Sequence, residues 1–330
     1  MFDWLFGKRR PPAPAAPPLR ERPVSVAPID LRVAMIVHDP VLESRGGRRL
    51  HAHFGWHDPE ALARQYSADL YHCSGGIARY TIVERHLVDG YPVKVDGFAY
   101  DDEHYLACWA RGGGFHHPDA ADYHRLLDDF AIPQKVLAGE IDEVWLFAFP
   151  YAGYYESHMA GAGAFWCNSP PLAGSERCPR RFVVMGFNYE RDVGCMLENF
   201  GHRVESIMAH VYRGRRGERN LWERFTRYDL THPGRAECGN VHFAPNSRAD
   251  YDWGNPRPVL CHADAWYSFP DLSAPPRMMD ASEWGGGDMR LHHLWWLAHL
   301  PRAAGETDGV LNNWWAYALR PDIVADAPPS

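Results

Sequence analysis

The sequence LRVAMIV, residues 31–37, is a largely apolar run rich in β-forming residues, and it predicts a buried strand. DEVWLFAF (142–149) and RFVVMGF (181–187) repeat this pattern further along the chain. DPEALARQYSADLYH (58–72) and PDAADYHRLLDDFAI (118–132) carry helical spacing between the runs. Strands that alternate with helices predict an α/β fold, with α+β as the alternative, in which helices cover a mixed sheet.

The chain has two regions of different composition, and the second contains a distinct segment. Residues 1–28 are rich in proline and predict a disordered tail, whose first residues offer a possible contact for a partner. Residues 29–330 show no repeat and no clear linker, so we expect a single two-lobed globular domain. Within this domain, residues 231–290 are dense in Gly, Pro, Asn and Asp. They predict a long irregular loop region, a feature that is often functional in compact domains.

Composition excludes several classes of protein. The formal net charge of −8 argues against a general nucleic-acid binder. No apolar run reaches the length that a membrane span requires, and the first residues lack the order of charged and apolar segments typical of a secretory signal. The seven cysteines are scattered, odd in number and form no C-x-x-C pair. We therefore expect unbridged thiols and a cytoplasmic location.

The helix predicted to follow residues 181–187 carries the strongest functional signal. Its residues Glu198, His202 and Glu205 fall within about 60° of one another on a helical wheel, opposite an apolar face. Carboxylate and imidazole side chains on one face predict a metal-binding site. The alternative is an ordinary solvated helix face, because Glu–His pairs at this spacing are common on surfaces.

The strand and helix of residues 181–208 resemble the active-site helix of zincin-type metallopeptidases, whose pattern is H-E-x-G-H. Gly201 and His202 match the second-histidine end of that pattern. Glu198 stands at the first ligand position and Asn199 at the position of the catalytic glutamate. The resemblance implies a divalent metal, zinc in the first instance, held by Glu198 and His202.

An asparagine cannot act as the general base that activates water, so this role is predicted for Glu205. The third metal ligand must come from another segment, and ECGNVHFAPNSRADYDWGNP (237–256) offers His242. Polar and aromatic residues of that segment, together with one histidine of the predicted helix at 289–305, form the predicted substrate-binding set: Asn240, Asn246, Asp250, Asp252, Trp253 and His293.

Two functions follow from these residues. The first is a metal-dependent hydrolase that acts on a peptide, amide or glycan-like substrate through an activated water. The second is a carbohydrate- or peptide-binding protein without catalysis, which would use its Trp/Tyr-rich and Asn/Asp-rich loops. The hydrolase requires a metal bound by Glu198, His202 and His242, whereas the binding protein does not.

Overall fold

The computed structural model describes residues 26–326. The predicted disordered tail therefore lies almost entirely outside the described residues. The strands are β1 (Ile29–His38), β2 (Val41–Leu42), β3 (Arg48–Arg49), β4 (Ala78–Val88), β5 (Glu143–Ala148), β6 (Ser157–Ala160), β7 (Phe182–Asn188), β8 (Val259–Cys261), β9 (Arg277–Met279), β10 (Arg302–Thr307) and β11 (Val310–Asn313). The α-helices are α1 (Leu50–Phe54), α2 (Pro59–Cys73), α3 (Asp102–Arg111), α4 (Tyr123–Asp129), α5 (Ile132–Leu137), α6 (Val193–Val211), α7 (Leu221–Phe225), α8 (Met289–Ala298) and α9 (Trp314–Leu319).

A five-stranded sheet forms the centre, in the order β4-β1-β5-β7-β6. The first four strands of this order are parallel, and β6 pairs antiparallel with β7. This mixed sheet with its helices confirms the predicted fold class. The carboxyl ends of β5 and β7 lie at one edge of the sheet, where open α/β sheets commonly bind ligands.

Alternation along the strands sends side chains to two helical layers. Val33 and Met35 of β1 enter the larger core, which α2, α6, α8 and α9 also build. Ala34 and Ile36 enter the smaller core on the opposite face, formed with α4 and α5. Strands buried on both faces read as continuous apolar runs, so the sequence predicts them well.

Aspartate side chains cap the N-termini of several helices. The Asp58 carboxylate accepts a hydrogen bond from the Ala61 amide at 2.8 Å and caps α2. The helix predicted from Pro118 begins only at Tyr123, because Asp122 rather than the proline supplies the cap, through a 3.0 Å bond from the Arg125 amide. The element prediction for 118–132 is thus corrected to two short helices, α4 and α5.

The irregular region behaves as expected. Between residues 231 and 290 the described chain contains two short strands, β8 and β9, two 3-10 turns, and the start of α8 at Met289. The seven cysteines are all free, as predicted. Within residues 26–326, no helix has the length and apolar character needed to cross a membrane.

Candidate metal centre

Glu198, His202 and His242 converge although forty residues separate the two histidines. One ligand atom of each lies within 4.8 Å of the others, and within the described chain these are the residues that form such a group. The two Nε2 atoms are 3.1 Å apart, and Glu198 Oε1 lies 3.4 Å from His242 Nε2. The structure therefore brings together the three residues predicted as metal ligands.

Each imidazole is held from behind by a carboxylate. His202 Nδ1 lies 2.9 Å from Glu205 Oε2, and His242 Nδ1 lies 3.0 Å from Asp250 Oδ1. A neutral imidazole that donates its single N–H at Nδ1 carries a lone pair on Nε2. When both histidines carry their only proton on Nδ1, the two Nε2 lone pairs face one another, an arrangement that a cation between them stabilises; when one Nε2 is protonated, the same 3.1 Å contact is an N–H···N hydrogen bond. Carboxylates that orient ligand histidines in this way are typical of protein metal sites.

The spacing of the donor atoms also fits one ion. Two nitrogen ligands about 2.0–2.1 Å from a zinc ion lie roughly 3.4 Å apart at a tetrahedral angle. The 3.1 Å between the two Nε2 atoms and the 3.4 Å from His242 Nε2 to Glu198 Oε1 are close to this value, and the donors of His202 and Glu198 lie within 4.8 Å. A set of three protein ligands is typical of catalytic rather than structural zinc, because it leaves one position for water or substrate. Two histidines and one carboxylate also form the ligand set of non-haem iron.

Gly201 allows the loop that carries His242 to approach α6. A Cβ at Gly201 would lie only 2.6 Å from Val241 Cγ2, so only glycine permits this contact. The Asn240 side chain shapes the loop, since its Oδ1 accepts hydrogen bonds from the His242 and Phe243 amides at 3.0 and 2.9 Å. The helix in turn is tied to the sheet by Asn199, whose amide donates to the Gly186 carbonyl at 2.8 Å.

The site is strongly acidic. Burial disfavours the charged form of His202, yet the hydrogen bond to Glu205 and the charges of Glu205, Glu156 and Glu198 raise the pKa of this imidazole above its usual value. Glu198 itself is 8% exposed, so its carboxylate is largely removed from water. Buried carboxylates require a compensating positive charge or hydrogen bonds. The site therefore has a negative potential, which a protonated His202 or a metal ion offsets.

A cavity of about 340 Å³ opens beside the ligands. It lies at the carboxyl ends of β5 and β7 and includes Glu198 in its wall. Tyr251 also lines it, and its other polar and charged lining includes Asp119, Glu156, Asn188, Arg191 and Asn199. The Tyr251 hydroxyl lies 3.1 Å from His242 Nε2, so this phenol reaches the ligand group directly.

Backbone strain concentrates here as well. Five non-glycine residues among those described have positive φ, and three of them, Tyr151, Asn168 and Tyr251, belong to this region. The two tyrosines line the cavity, and the Asn168 side chain donates a hydrogen bond to Glu156. Each left-handed residue costs about 1–2 kcal/mol, and such residues cluster at functional sites.

The structure gives Glu205 and Asp250 different surroundings from those predicted. The Glu205 oxygens contact His202 Nδ1 and the Val241 amide, so this carboxylate lies behind a ligand and not at the cavity. Asp250 was predicted to bind substrate and instead contacts His242 Nδ1. Helical periodicity indicates which face a residue occupies but cannot show which partner it meets there.

Three residues of the predicted substrate-binding set are corrected to structural roles. Asn246 is fully buried and donates to the carbonyls of residues 255 and 257 at 2.6 and 2.8 Å. Trp253 is 4% exposed and stacks on His292. His293 is fully buried, with Nε2 3.3 Å from the Val241 carbonyl. Each supports the loop from inside, where a substrate has no access.

The two other members of that set also shape the loop. Asn240 uses its side-chain oxygen in the turn around His242. The Asp252 carboxylate accepts hydrogen bonds from the Arg248 amide and the Asn255 side chain at 2.9 and 2.8 Å. The Asn240 contact is that of an Asx-turn, and the Asp252 contacts link two further positions of the same irregular loop.

Glu156, Tyr151 and Tyr251 are among the cavity residues that were not predicted from the sequence. A signal for the first two was present, because both follow the predicted strand 142–149 and thus lie beyond the carboxyl end of a parallel strand. Tyr251 lies between two predicted residues of the 237–256 segment, and nothing in its spacing distinguishes it from them.

No protein-family model matches the chain, and searches of curated proteins and of solved structures found no match. The resemblance of residues 181–208 to zincin-type metallopeptidases stays a prediction.

Proposed function

We propose that this protein is a metal-dependent hydrolase whose metal is held by Glu198, His202 and His242. One observation carries the proposal: two imidazoles, each oriented by a carboxylate, direct their Nε2 atoms toward each other and toward a buried glutamate. The adjoining cavity of about 340 Å³ supports an enzyme, because a structural metal needs no such space.

The chain supplies the remaining groups for hydrolysis. A bound divalent ion lowers the pKa of water and polarises a carbonyl oxygen. Glu156 is the candidate acid/base, since it is exposed, lines the cavity and is oriented by Asn168. Glu205 orients His202 in this proposal, in place of the acid/base role that the sequence predicted. The Tyr251 phenol is placed to donate a hydrogen bond to a substrate oxygen at the ligand group.

Elemental analysis of the purified full chain tests the proposal. We expect about one divalent ion per chain, with zinc or iron as the two identities that this ligand set favours. His202→Ala and Glu198→Ala should lose the ion, while His104→Ala, an exposed histidine on α3, should retain it.

The thermal melt supplies a second measurement. A ligand that binds only the folded state stabilises it by mass action, so a chelator should lower the melting temperature of the wild type but not of His202→Ala. A metal-free wild type whose melting is unchanged by zinc, iron and chelator would refute the metal centre. It would favour the alternative of a binding protein without catalysis.

A further inference from the structure

We propose that the cavity binds a neutral oligosaccharide. This inference rests on the proposed function, because it names the substrate class of the same site. Three independent features carry it: the aromatic side chains at the cavity, the sign of its charges, and the absence of a free strand edge beside it among the described residues.

Two exposed tyrosines face this one cavity. Tyr151 and Tyr251 are 46% and 48% exposed, and both line it. Phe115 stacks on Tyr151, with ring centroids 3.5 Å apart. Tyr251 packs on His242 and Trp253 at 4.5 and 5.1 Å. A phenol ring supported on one side offers an apolar face and a polar edge, which suits a sugar ring with its C–H face and hydroxyls.

The side chains of the cavity offer no excess of positive charge to an anionic ligand. Its charged lining consists of three carboxylates, from Asp119, Glu156 and Glu198, and one guanidinium, from Arg191. Lys94 lies behind the wall, fully buried, and pairs with Asp119 at 2.6 Å. Carboxylates accept hydrogen bonds from hydroxyl groups but repel phosphate, sulfate and uronic acid groups. Apart from Glu198, the charges of Asp119, Glu156 and Arg191, with Lys94 behind them, roughly cancel, so the lining suits a neutral sugar better than a nucleic acid or a polyuronate.

Peptides commonly bind enzymes and receptors by adding a strand to a sheet edge. The edge of the central sheet beside the cavity is already covered. β6 is the outer strand nearest the cavity. Its Met159 carbonyl accepts a hydrogen bond from the Leu172 amide at 2.9 Å, and its Ser157 carbonyl accepts one from Ser169 Oγ at 2.9 Å. The other edge strand, β4, lies at the far side of the sheet. Two carbonyl groups with which an extended peptide would pair along β6 are therefore already occupied.

Binding is measured by calorimetry on the full chain as purified, with and without chelator. The probes are N-acetylchitohexaose and cellohexaose as neutral sugars, a hexagalacturonate as the anionic sugar, and unfolded casein as the peptide. We expect at least one neutral hexasaccharide to bind and the hexagalacturonate not to bind. Tyr151→Ala and Tyr251→Ala should each weaken binding by about three- to tenfold, the size of an aromatic contact.

Matched variants separate ring stacking from disturbance of the fold. Tyr151→Phe keeps the ring and should bind within about twofold of the wild type. Tyr71→Ala removes a tyrosine that is 51% exposed and does not line the cavity, and it should bind unchanged. Failure of both neutral sugars to bind at about 10 mM, or casein binding that Tyr151→Ala abolishes, would overturn the inference.

These outcomes differ from those that test the hydrolase. A metal-containing protein that binds neither sugar refutes the sugar inference alone. A metal-free protein that binds one of them through Tyr151 and Tyr251 refutes the hydrolase and leaves the sugar site standing.

Discussion

Replacing Gly201 with alanine should impair the metal centre while leaving the fold intact. The new Cβ would lie 2.6 Å from Val241 Cγ2, whereas ordinary contacts begin near 3.4 Å, so Val241 must move by about 0.8 Å. Rotation of the side chain gives little relief, because a β-branched residue is stiff at χ1. The movement carries the neighbouring His242 away from His202. The Nε2 atoms of these two histidines are 3.1 Å apart.

A shift of this size exceeds what metal ligation tolerates. Metal–ligand distances stay within about 0.2 Å of their preferred values. We therefore expect Gly201→Ala to weaken metal binding by at least about 10–100-fold, or roughly 1.4–2.7 kcal/mol. Alanine favours the helix over glycine by about 1 kcal/mol, which offsets part of the packing cost in α6. The global unfolding transition should therefore change much less than the affinity.

Competition with a chromophoric chelator gives the affinity, and circular dichroism gives the unfolding transition. The double variant Gly201→Ala/Val241→Ala removes the clashing methyl and should recover most of the lost affinity. Gly113→Ala, at a glycine with open space around it, should behave as the wild type. Wild-type affinity in Gly201→Ala, or no recovery in the double variant, would show that this close contact does not position His242.

Other residues yield further predictions. Asp250→Asn should weaken metal binding about 10–100-fold in the same assay without removing a ligand, because the carboxylate that orients His242 is lost. Arg203→Met breaks an ion pair with Glu143 in which both side chains are 1% exposed. It should lower the free energy of unfolding, measured in urea, by about 3–5 kcal/mol. Adding Glu143→Met to the same chain should restore most of that loss. A hydrogen bond with Asp39 raises the pKa of His51, so this pair stabilises the fold below about pH 6.5 and the contribution is lost as pH rises through the folded-state pKa. His51→Gln should therefore lower the free energy of unfolding more at about pH 5.5 than at about pH 9.

The sheet was predictable where its strands are buried on both faces. β1, β5 and β7 appear in the sequence as apolar runs, because both neighbouring layers demand apolar side chains. β6 was not predicted, since SHMA is four residues long, half polar, and placed by contacts with segments distant from it. The hairpin of β10 and β11 was missed for a similar reason, because its first strand, RAAGET, has no alternating pattern.

The candidate site divides in the same way. Glu198 and His202 could be found because α-helical periodicity alone places them on one face. His242 could be proposed from the composition of its loop, yet its contact with His202 depends on the missing side chain of Gly201. Composition also selected Asn246, which is fully buried. Residues that shape a loop from inside and residues that face its outer surface have the same amino-acid types, so only the fold separates them.

The charges around the ligands oppose the interpretation of α6 as an ordinary solvated helix. A solvated helix face usually mixes charges of both signs, because opposite charges one turn apart stabilise it. Here His202 is surrounded by the negative charges of Glu156, Glu198 and Glu205, while Arg203 of the same helix points into the core to pair with Glu143. These three carboxylates repel one another, and Glu198 among them is largely buried. The repulsion lowers the stability of the fold unless a cation is present. A face that needed only to contact water would gain stability if one of these carboxylates were a lysine. A divalent ion held by Glu198, His202 and His242 would offset this repulsion, which is the physical reason for the metal centre proposed above.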